Sequence, residues 1–155
     1  MSTDLPKLYL EDFTVGRRFT TGAVTVDADA IKAFAASFDP QPFHLDEAAA
    51  AKSFFGGLVA SGWHTASLTM RLLVTSGLPI AGGVIGAGGE VQWPQAVRPG
   101  DTLHAVSEVI AAKPSVSRPE RGMVTVRTET INQNGEVVQT MTARLVVPRR
   151  PVHAA

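Results

Sequence analysis

Cysteine is absent from all 155 residues of the chain. Its absence excludes disulfide bridges, thiolate metal ligands and a cysteine nucleophile, and it fits a reducing compartment. The chain also lacks any apolar run of about 18 residues, the length at which a membrane-spanning helix is predicted. Its first residues show no basic segment followed by an apolar one, so no signal peptide is predicted. We therefore expect a soluble, cytoplasmic protein without a membrane segment.

An excess of charge of one sign is missing as well. Fourteen basic side chains balance 14 acidic ones, and Lys and Arg form no run long enough for a nucleic-acid footprint. Nucleic acid is thus not expected as a partner. Hydrophobic residues make up 45% of the chain and charged residues 18%, which is typical of a globular protein with a sizeable core. The length of 155 residues suits a single domain.

The first predicted elements are a strand and a helix. Residues 17–26 are rich in β-branched types and indicate a strand, which stops at Asp27, a good N-cap. The segment after Asp27 carries apolar residues at helical spacing. These residues are Ala30, Ile31, Phe34, Ala35 and Phe38.

Two prolines interrupt the helical pattern that follows. Pro40 and Pro42 predict an extended loop over 39–45, and Asp46 is a candidate cap for a second short helix. A long central helix is predicted over 62–76, ended by a glycine and a nearby proline. Because this helix is apolar around much of its circumference, we expect it to be buried.

The remainder of the chain is predicted to form strands. They cover residues 84–93, 101–113, 123–133 and 136–147. Asn134-Gly135 predicts a tight hairpin with a primed turn, and the glycines of "GGVIGAGGE" are interpreted as bends of the sheet. Residues 148–155 are expected to fray. This element order predicts an α+β fold in which a curved antiparallel β-sheet wraps around the long central helix.

Asp39 and His44 form the first candidate site. The two intervening prolines stiffen the chain, which suits a loop that presents an acid and an imidazole in one geometry. A rigid turn with a capping carboxylate and a hydrogen-bonded histidine would have the same spacing. Gly62 stands at the start of the central helix, where free N–H groups could bind a ligand oxygen. It could equally serve the turn into the helix.

The stretch from Phe34 to Leu73, "FAASFDPQPFHLDEAAAAKSFFGGLVASGWHTASLTMRLL", resembles the hydratase signature of the MaoC-like dehydratase family. "LEDFTVGRRF" and "VQWPQAVRPGDTLHAVSEV" resemble its flanking segments, so the similarity spans about residues 8–147. The resemblance implies a single hot-dog domain over 8–148, with tails over 1–7 and 149–155. It also implies a homodimer or a larger homo-oligomer.

The family acts on acyl thioesters, typically by reversible addition of water to a trans-2-enoyl-CoA to give a 3-hydroxyacyl-CoA. By this resemblance Asp39 and His44 are the catalytic pair and Gly62 supplies a backbone N–H for the thioester oxygen. The implied setting is fatty acid metabolism, with CoA as part of the substrate and no other cofactor. An acyl carrier protein could replace CoA.

Further residues are expected to contact the substrate. They are Phe43, Ser61, Trp63, His64 and Arg71. His64 could instead be a packing residue with its ring nitrogen satisfied. Trp63 and Trp93 could line the tunnel for the acyl chain, but we expect them to fill the core. The histidines lack a third ligand for a zinc site, so no metal is expected.

Basic side chains offer a second kind of contact. Arg71 and the basic residues of the loop "KPSVSRPERG", which are Lys113, Arg118 and Arg121, could meet CoA phosphates or a carrier protein, or the loop could simply be solvated. In some family members a serine of the central helix lies near the catalytic carboxylate. Met70 is expected at this place here, with Ser67 one turn earlier.

Two alternatives to hydration are considered. A hot-dog acyl-CoA thioesterase would direct water at the carbonyl carbon. A non-catalytic acyl-CoA-binding subunit would keep the fold without the chemistry. The loop from Asp39 to His44 favours hydration over the thioesterase, and the presence of Asp39, His44 and Gly62 argues against the binding subunit.

Overall fold

One antiparallel sheet and one long helix account for most of the chain in the computed structural model, which describes residues 5–152. The helices are α1 (Ala28–Phe38), α2 (Pro42–Leu45), α3 (Glu47–Ala51) and α4 (Gly62–Leu72), with a π-helical turn over Leu73–Gly77. The strands are β1 (Arg18–Thr25), β2 (Ile85–Gln92), β3 (Thr102–Pro114), β4 (Arg121–Ile131) and β5 (Val137–Pro148). A 3₁₀ turn at Leu10–Asp12 precedes β1.

The five strands pair in the order β1-β3-β4-β5-β2, and every pair is antiparallel. Buried and less buried positions alternate along β3 and β4, as expected for a sheet that covers a core with one face. The covered face packs against α4 and its π-helical extension. The predicted α+β arrangement, a curved sheet around a central helix, is confirmed.

One of the two apolar clusters supports the segment that leads into α4. Ile31 of α1, Ala50 of α3, Leu103 of β3 and Val138 of β5 are all fully buried in this cluster. Burial of such aliphatic side chains contributes about 1.5–3 kcal/mol each, except for the smaller alanine. The cluster thereby holds α1, α3 and the two strands together around the start of α4.

The predicted extended loop over 39–45 is wrong in part, because Pro42 to Leu45 form the short helix α2. Proline is tolerated at the first helical position, since its missing N–H would have no intrahelical acceptor there. The two caps are confirmed. Asp27 accepts a hydrogen bond from the Ala30 N–H, and Asp46 accepts from the Ala48 N–H.

The expectation of a largely buried central helix is also wrong. Leu72 and Leu73 are buried, but Met70 is 42% exposed and Val74 is 53% exposed. A single sheet covers only one side of a helix, so the other side of α4 stays open in one protomer. Phe38, predicted on the inner face of α1, is the last residue of that helix and is 73% exposed, with its ring 5.1 Å from that of Phe34.

The hairpin between β4 and β5 is confirmed, but its turn is not the primed type. No residue other than glycine has a positive φ among those described, so Asn134 does not adopt the conformation that a type I′ turn needs. Gly135 has a φ of 76°, and Asn132 closes the loop by accepting hydrogen bonds from the Asn134 and Glu136 N–H groups. The glycine-rich strand behaves as predicted: β2 bulges between Gly86 and Gly88.

The C-terminal residues are held more firmly than predicted. Arg149 forms an ion pair with Glu11 at 3.3 Å, and Arg150 forms one with Asp12 at 2.6 Å. Residues 149 and 150 are therefore docked on the 3₁₀ turn and do not fray; residues 153–155 lie outside the described part. The domain limits of 8–148 stay a prediction. Over residues 5–152 no helix has both the length and the apolar character needed to cross a membrane.

Candidate active site

The carboxylate of Asp39 contacts the imidazole of His44, with 3.2 Å between Oδ2 and Nε2. His44 is buried, and its Nδ1 lies 2.6 Å from the carbonyl oxygen of Val59. Because a carbonyl only accepts, Nδ1 carries a proton. The contact between Nε2 and Oδ2 then needs one further proton, on either the imidazole or the carboxyl group. A hydrogen bond at this contact would thus be made by one proton that the pair shares.

Local sequence places these two side chains side by side. Asp39 ends α1, with its N–H donating to the Ala35 carbonyl at 2.8 Å, and Pro40 prevents the helix from continuing. Pro42 then starts α2, whose single turn returns His44 toward Asp39. The Gln41 amide donates to the other oxygen of Asp39 at 2.5 Å. The prolines were predicted to stiffen this segment in an extended conformation, but the segment forms a helical turn instead.

Several neighbours act on the ionisation of Asp39. Partial burial by itself raises the pKa of Asp39, but hydrogen bonds from Ser61 and Gln41, together with His44, outweigh it and lower the pKa below its usual value. Ser61 is fully buried and is the N-cap of α4, where its Oγ accepts from the Trp63 N–H at 3.2 Å. One hydroxyl thereby connects the carboxylate to the start of the central helix.

The expectation that Met70 stands where some family members have a serine stays a prediction. In this chain Met70 lies more than two turns beyond Ser61 along the helix, where it lines a different cavity, and the Ser67 hydroxyl donates to the Trp63 carbonyl. Ser61, predicted to contact the substrate, does not line the cavity that holds His44 but helps to lower the pKa of Asp39 from the N-cap of α4. A serine directly before a helix-starting glycine is a signal for such a cap.

Gly62 is the first residue of α4, and no described residue accepts a hydrogen bond from its N–H. A Cβ at this position would lie 2.6 Å from the Trp93 indole, so only glycine allows the indole to pack there. Gly62 and His44 line one cavity of about 230 Å³. Other residues around it include Phe43, Thr65, Trp93 and Val97. Asp39 does not line the cavity and joins the site through His44.

The residues expected to bind substrate are only partly brought together. Phe43 lines the cavity and packs edge-on against His44, with ring centroids 4.6 Å apart. Trp63 lines a second, apolar cavity of about 390 Å³ on the open side of α4. Arg71 is exposed in the last turn of α4, about 13 Å along the helix from Gly62, and lines neither cavity.

The expectation that both tryptophans fill the core is wrong. Trp63 is 58% exposed and Trp93 is 40% exposed. Their rings meet edge to face, with centroids 5.2 Å apart. Trp93 lines the cavity beside His44, which agrees with the alternative considered for it, whereas the contact of the Val59 carbonyl with the imidazole was not predicted. A backbone carbonyl has no sequence signal.

His64 is buried and stacked on Phe34, with ring centroids 4.7 Å apart. Its Nδ1 has no hydrogen-bond partner among the described residues, so the expectation of a satisfied ring nitrogen is wrong. Burial lowers the pKa of His64, while the nearby charge of Asp27 partly opposes this. His64 does not line the cavity that holds His44.

We predict that His64→Leu makes folding stability less dependent on pH. In the wild type, the unfolded chain takes up a proton on this histidine as the pH falls below its usual pKa of 6.5, whereas the folded chain does so only at a lower pH. The free energy of unfolding should therefore decline over this window, and the leucine variant should decline less. Urea denaturation at pH 7.5 and at a pH near 5.5 measures the difference. Equal declines in both proteins would contradict the prediction.

The basic hairpin lies far from this site within one protomer. Lys113, Arg118 and Arg121 surround a cleft at the β3–β4 turn, next to Gly122, which pairs with Val147. The cavity with His44 lies toward the other end of β5, roughly 25 Å away at about 3.3 Å per strand residue. Among residues 5–152, no three His, Asp or Glu side chains are grouped for metal binding.

Comparison with known proteins agrees with this architecture. The family model of the MaoC-like domain matches residues 12–134. The chain belongs to this family. A crystal structure of the MaoC-like dehydratase from Rhodospirillum rubrum is 63% identical and has a TM-score of 0.92, with 94% of this chain and 99% of that chain covered. The fold is the hot-dog fold of the MaoC-like proteins.

Two further relatives are less similar. The protein YdeM of Bacillus subtilis is 38% identical over 127 residues, which cover 80% of this chain and 87% of YdeM. The (R)-hydratase of A. caviae, described as involved in PHA biosynthesis, is 31% identical with a TM-score of 0.73. The match covers 89% of this chain and 99% of the hydratase. Membership of the MaoC-like family supports a function of the hydratase or dehydratase type.

Proposed function

We propose that the protein catalyses the reversible addition of water to a trans-2-enoyl-CoA, which gives a 3-hydroxyacyl-CoA. The observation that carries this proposal is the Asp39–His44 contact beside a cavity that Gly62 also lines. A base, an acid and an oxyanion donor are the three groups that hydration requires. The relationship to the A. caviae (R)-hydratase supports the (R) configuration of the product.

The shared proton of the pair suits both proton transfers of the reaction. Addition of water forms a C–O bond at Cβ and a C–H bond at Cα. As the water oxygen attacks Cβ, its proton passes to the unprotonated member of the Asp39–His44 pair, and the proton already held there passes to Cα. The pair thus begins and ends the cycle with one proton. The Gly62 N–H, at the positive end of α4, stabilises the enolate oxygen between the two transfers.

The test is the loss of absorbance of the conjugated thioester when purified protein is added to crotonyl-CoA. Hydration predicts this loss without release of free thiol. Thiol release would identify the thioesterase alternative. Binding of CoA thioesters without either change, across short, long and branched enoyl-CoAs, would identify a non-catalytic binding subunit. Repeating the series with an acyl carrier protein thioester shows whether the protein accepts CoA, the carrier protein or both as the carrier of the acyl group.

Ser61→Ala is expected to move the acid limb of the pH–rate profile to higher pH. The Ser61 hydroxyl helps to lower the pKa of Asp39, so its removal raises that pKa. The lost cap of α4 should also cost about 0.5–2 kcal/mol of stability. The profile of kcat/KM against pH, measured where both proteins are folded, checks the shift. Ser37→Ala on the exposed face of α1 is the control; an unshifted limb in Ser61→Ala would contradict the prediction.

We also propose that the protein works as a homodimer through the open side of α4. Trp63, Met70 and Val74 of the helix and Ile85 of β2 are large apolar side chains that are 42–58% exposed. β2 is an edge strand of the sheet, so its outer backbone groups are free to pair with a second copy. A two-fold dimer buries the same face of both subunits, so one apolar face of this kind is enough to form it.

Sedimentation equilibrium tests the dimer. The wild type should sediment as a dimer, and Val74→Lys or Ile85→Lys should shift it toward the monomer. Val116→Lys, at an exposed apolar residue of the β3–β4 hairpin, is the matched control and should not. A wild type that stays monomeric at micromolar concentration would contradict the proposal.

A further inference from the structure

A buried glutamine connects the sheet to the wall of the candidate site. Gln139 of β5 has no exposed surface. Burial of a carboxamide is unfavourable unless its polar atoms are hydrogen-bonded. Its Oε1 accepts from the Trp93 indole N–H at 2.9 Å, and its Nε2 lies 3.5 Å from the Thr69 hydroxyl of α4. The amide thus bridges the helix and the indole.

The hydrogen bonds around Thr69 determine which way the amide points. The Thr69 hydroxyl donates its one proton to the Thr65 carbonyl at 2.8 Å. It must therefore accept from the Thr130 hydroxyl, 2.7 Å away, and from Gln139. Because Nε2 of Gln139 faces this acceptor, Oε1 faces the indole. Each donor has one acceptor, so the network holds Trp93 in a single orientation.

The indole that this network holds lies against the site. Trp93 lines the same cavity as His44 and Gly62 and packs so closely on Gly62 that a Cβ there would overlap its ring. The indole thus forms a wall of the cavity of about 230 Å³, and it limits the space left beside His44 and Gly62 for an acyl chain.

We infer that Trp93, positioned by Gln139, limits the length of the acyl chain that the site accepts. The inference rests on the proposed function for its substrate class. Trp93 is the specificity-determining residue. Gln139 touches no substrate and acts as a positioning residue through the indole.

The test compares Trp93→Leu, Gln139→Leu and the wild type with enoyl-CoAs of four, six, eight and ten carbons. The wild type should prefer the shorter two. Trp93→Leu should raise the ratio of kcat/KM for the eight-carbon to the four-carbon substrate by about 10-fold or more, since one methylene in an apolar pocket discriminates 10–200-fold. Gln139→Leu should shift the ratio in the same direction by less, because the indole stays but loses its acceptor.

Gln92→Leu is the matched control for Gln139→Leu, since it makes the same change at an exposed glutamine of β2. It should leave the ratio unchanged. A merely structural role of Gln139 would lower activity on all chain lengths equally and lower the unfolding temperature, without a change in the ratio. That result would overturn the positioning role.

Binding of saturated acyl-CoAs of the same lengths, measured by calorimetry, separates this inference from the proposed function. If the wild type binds short acyl-CoAs and Trp93→Leu extends binding to longer ones, the inference stands even where no enoyl-CoA is hydrated. If hydration occurs but chain-length preference is the same in Trp93→Leu and the wild type, the inference fails and the proposed function survives. If no acyl-CoA binds, both fail.

A second variant examines the packing of Trp93 on Gly62. Gly62→Ala should lower activity in the wild-type background, because its Cβ would displace the indole. In a Trp93→Leu background the same change should cost at least about tenfold less, since the smaller side chain leaves room; double-mutant cycles of this kind measure such coupling. Equal losses in both backgrounds would show that the indole does not pack on Gly62 as described.

Discussion

Asp39→Asn should lower kcat for the hydration of crotonyl-CoA by about 10²–10⁴-fold, the usual contribution of a positioned acid–base group. Asparagine has nearly the same shape and can still meet the neighbouring Gln41 and Ser61. It cannot share a proton with the His44 imidazole, so one of the two proton transfers loses its partner. Stopped-flow or steady-state absorbance assays at saturating substrate measure the loss of kcat.

The fold of this variant should be retained, because Asp39 is at the end of α1 and its side chain is only partly buried. Its lowered pKa contributes stability above the usual value of 3.8, and this contribution is lost as the pH falls through the lowered pKa. The two proteins should therefore unfold alike in acid and differ slightly at neutral pH. Asp29→Asn, in the exposed first turn of α1, is the control. Full activity of Asp39→Asn would exclude the carboxylate from the chemistry.

His44→Gln is expected to cause a loss of similar size, about 10²–10⁴-fold in kcat. The glutamine amide can donate to the Val59 carbonyl in place of Nδ1, which avoids an unsatisfied buried acceptor, but it cannot exchange protons. The imidazole is also the member of the pair that lines the cavity. His104→Gln in β3 makes the same change away from the site and should be active.

The double variant Asp39→Asn/His44→Gln sharpens this second prediction. If the two side chains share one proton and act as a unit, the double variant should be only slightly slower than either single variant. Losses that multiply would show two independent roles and would contradict the shared-proton geometry. Circular dichroism and thermal unfolding of each variant should show that the fold persists.

Much of the fold follows from interactions between residues close in the chain. The caps at Asp27 and Asp46, the end of the central helix near Gly77 and the strands β3 and β4 were all predicted and are observed. The same is true of the approach of Asp39 and His44. Capping, proline geometry and periodicity act over a few residues, so the sequence carries them directly.

Other features come from residues distant in the chain. The Val59 carbonyl that orients His44 is 15 residues away, and the indole of Trp93 meets Gln139 across 46 residues. The exposure of one side of α4 likewise depends on how much of the helix surface a single sheet can cover. By itself, the sequence determined the elements and the Asp39–His44 pair; only the tertiary structure decided what surrounds that pair. Local sequence patterns predict the backbone conformation and which face of an element is apolar. The walls of a cavity form only when segments distant in the chain pack together.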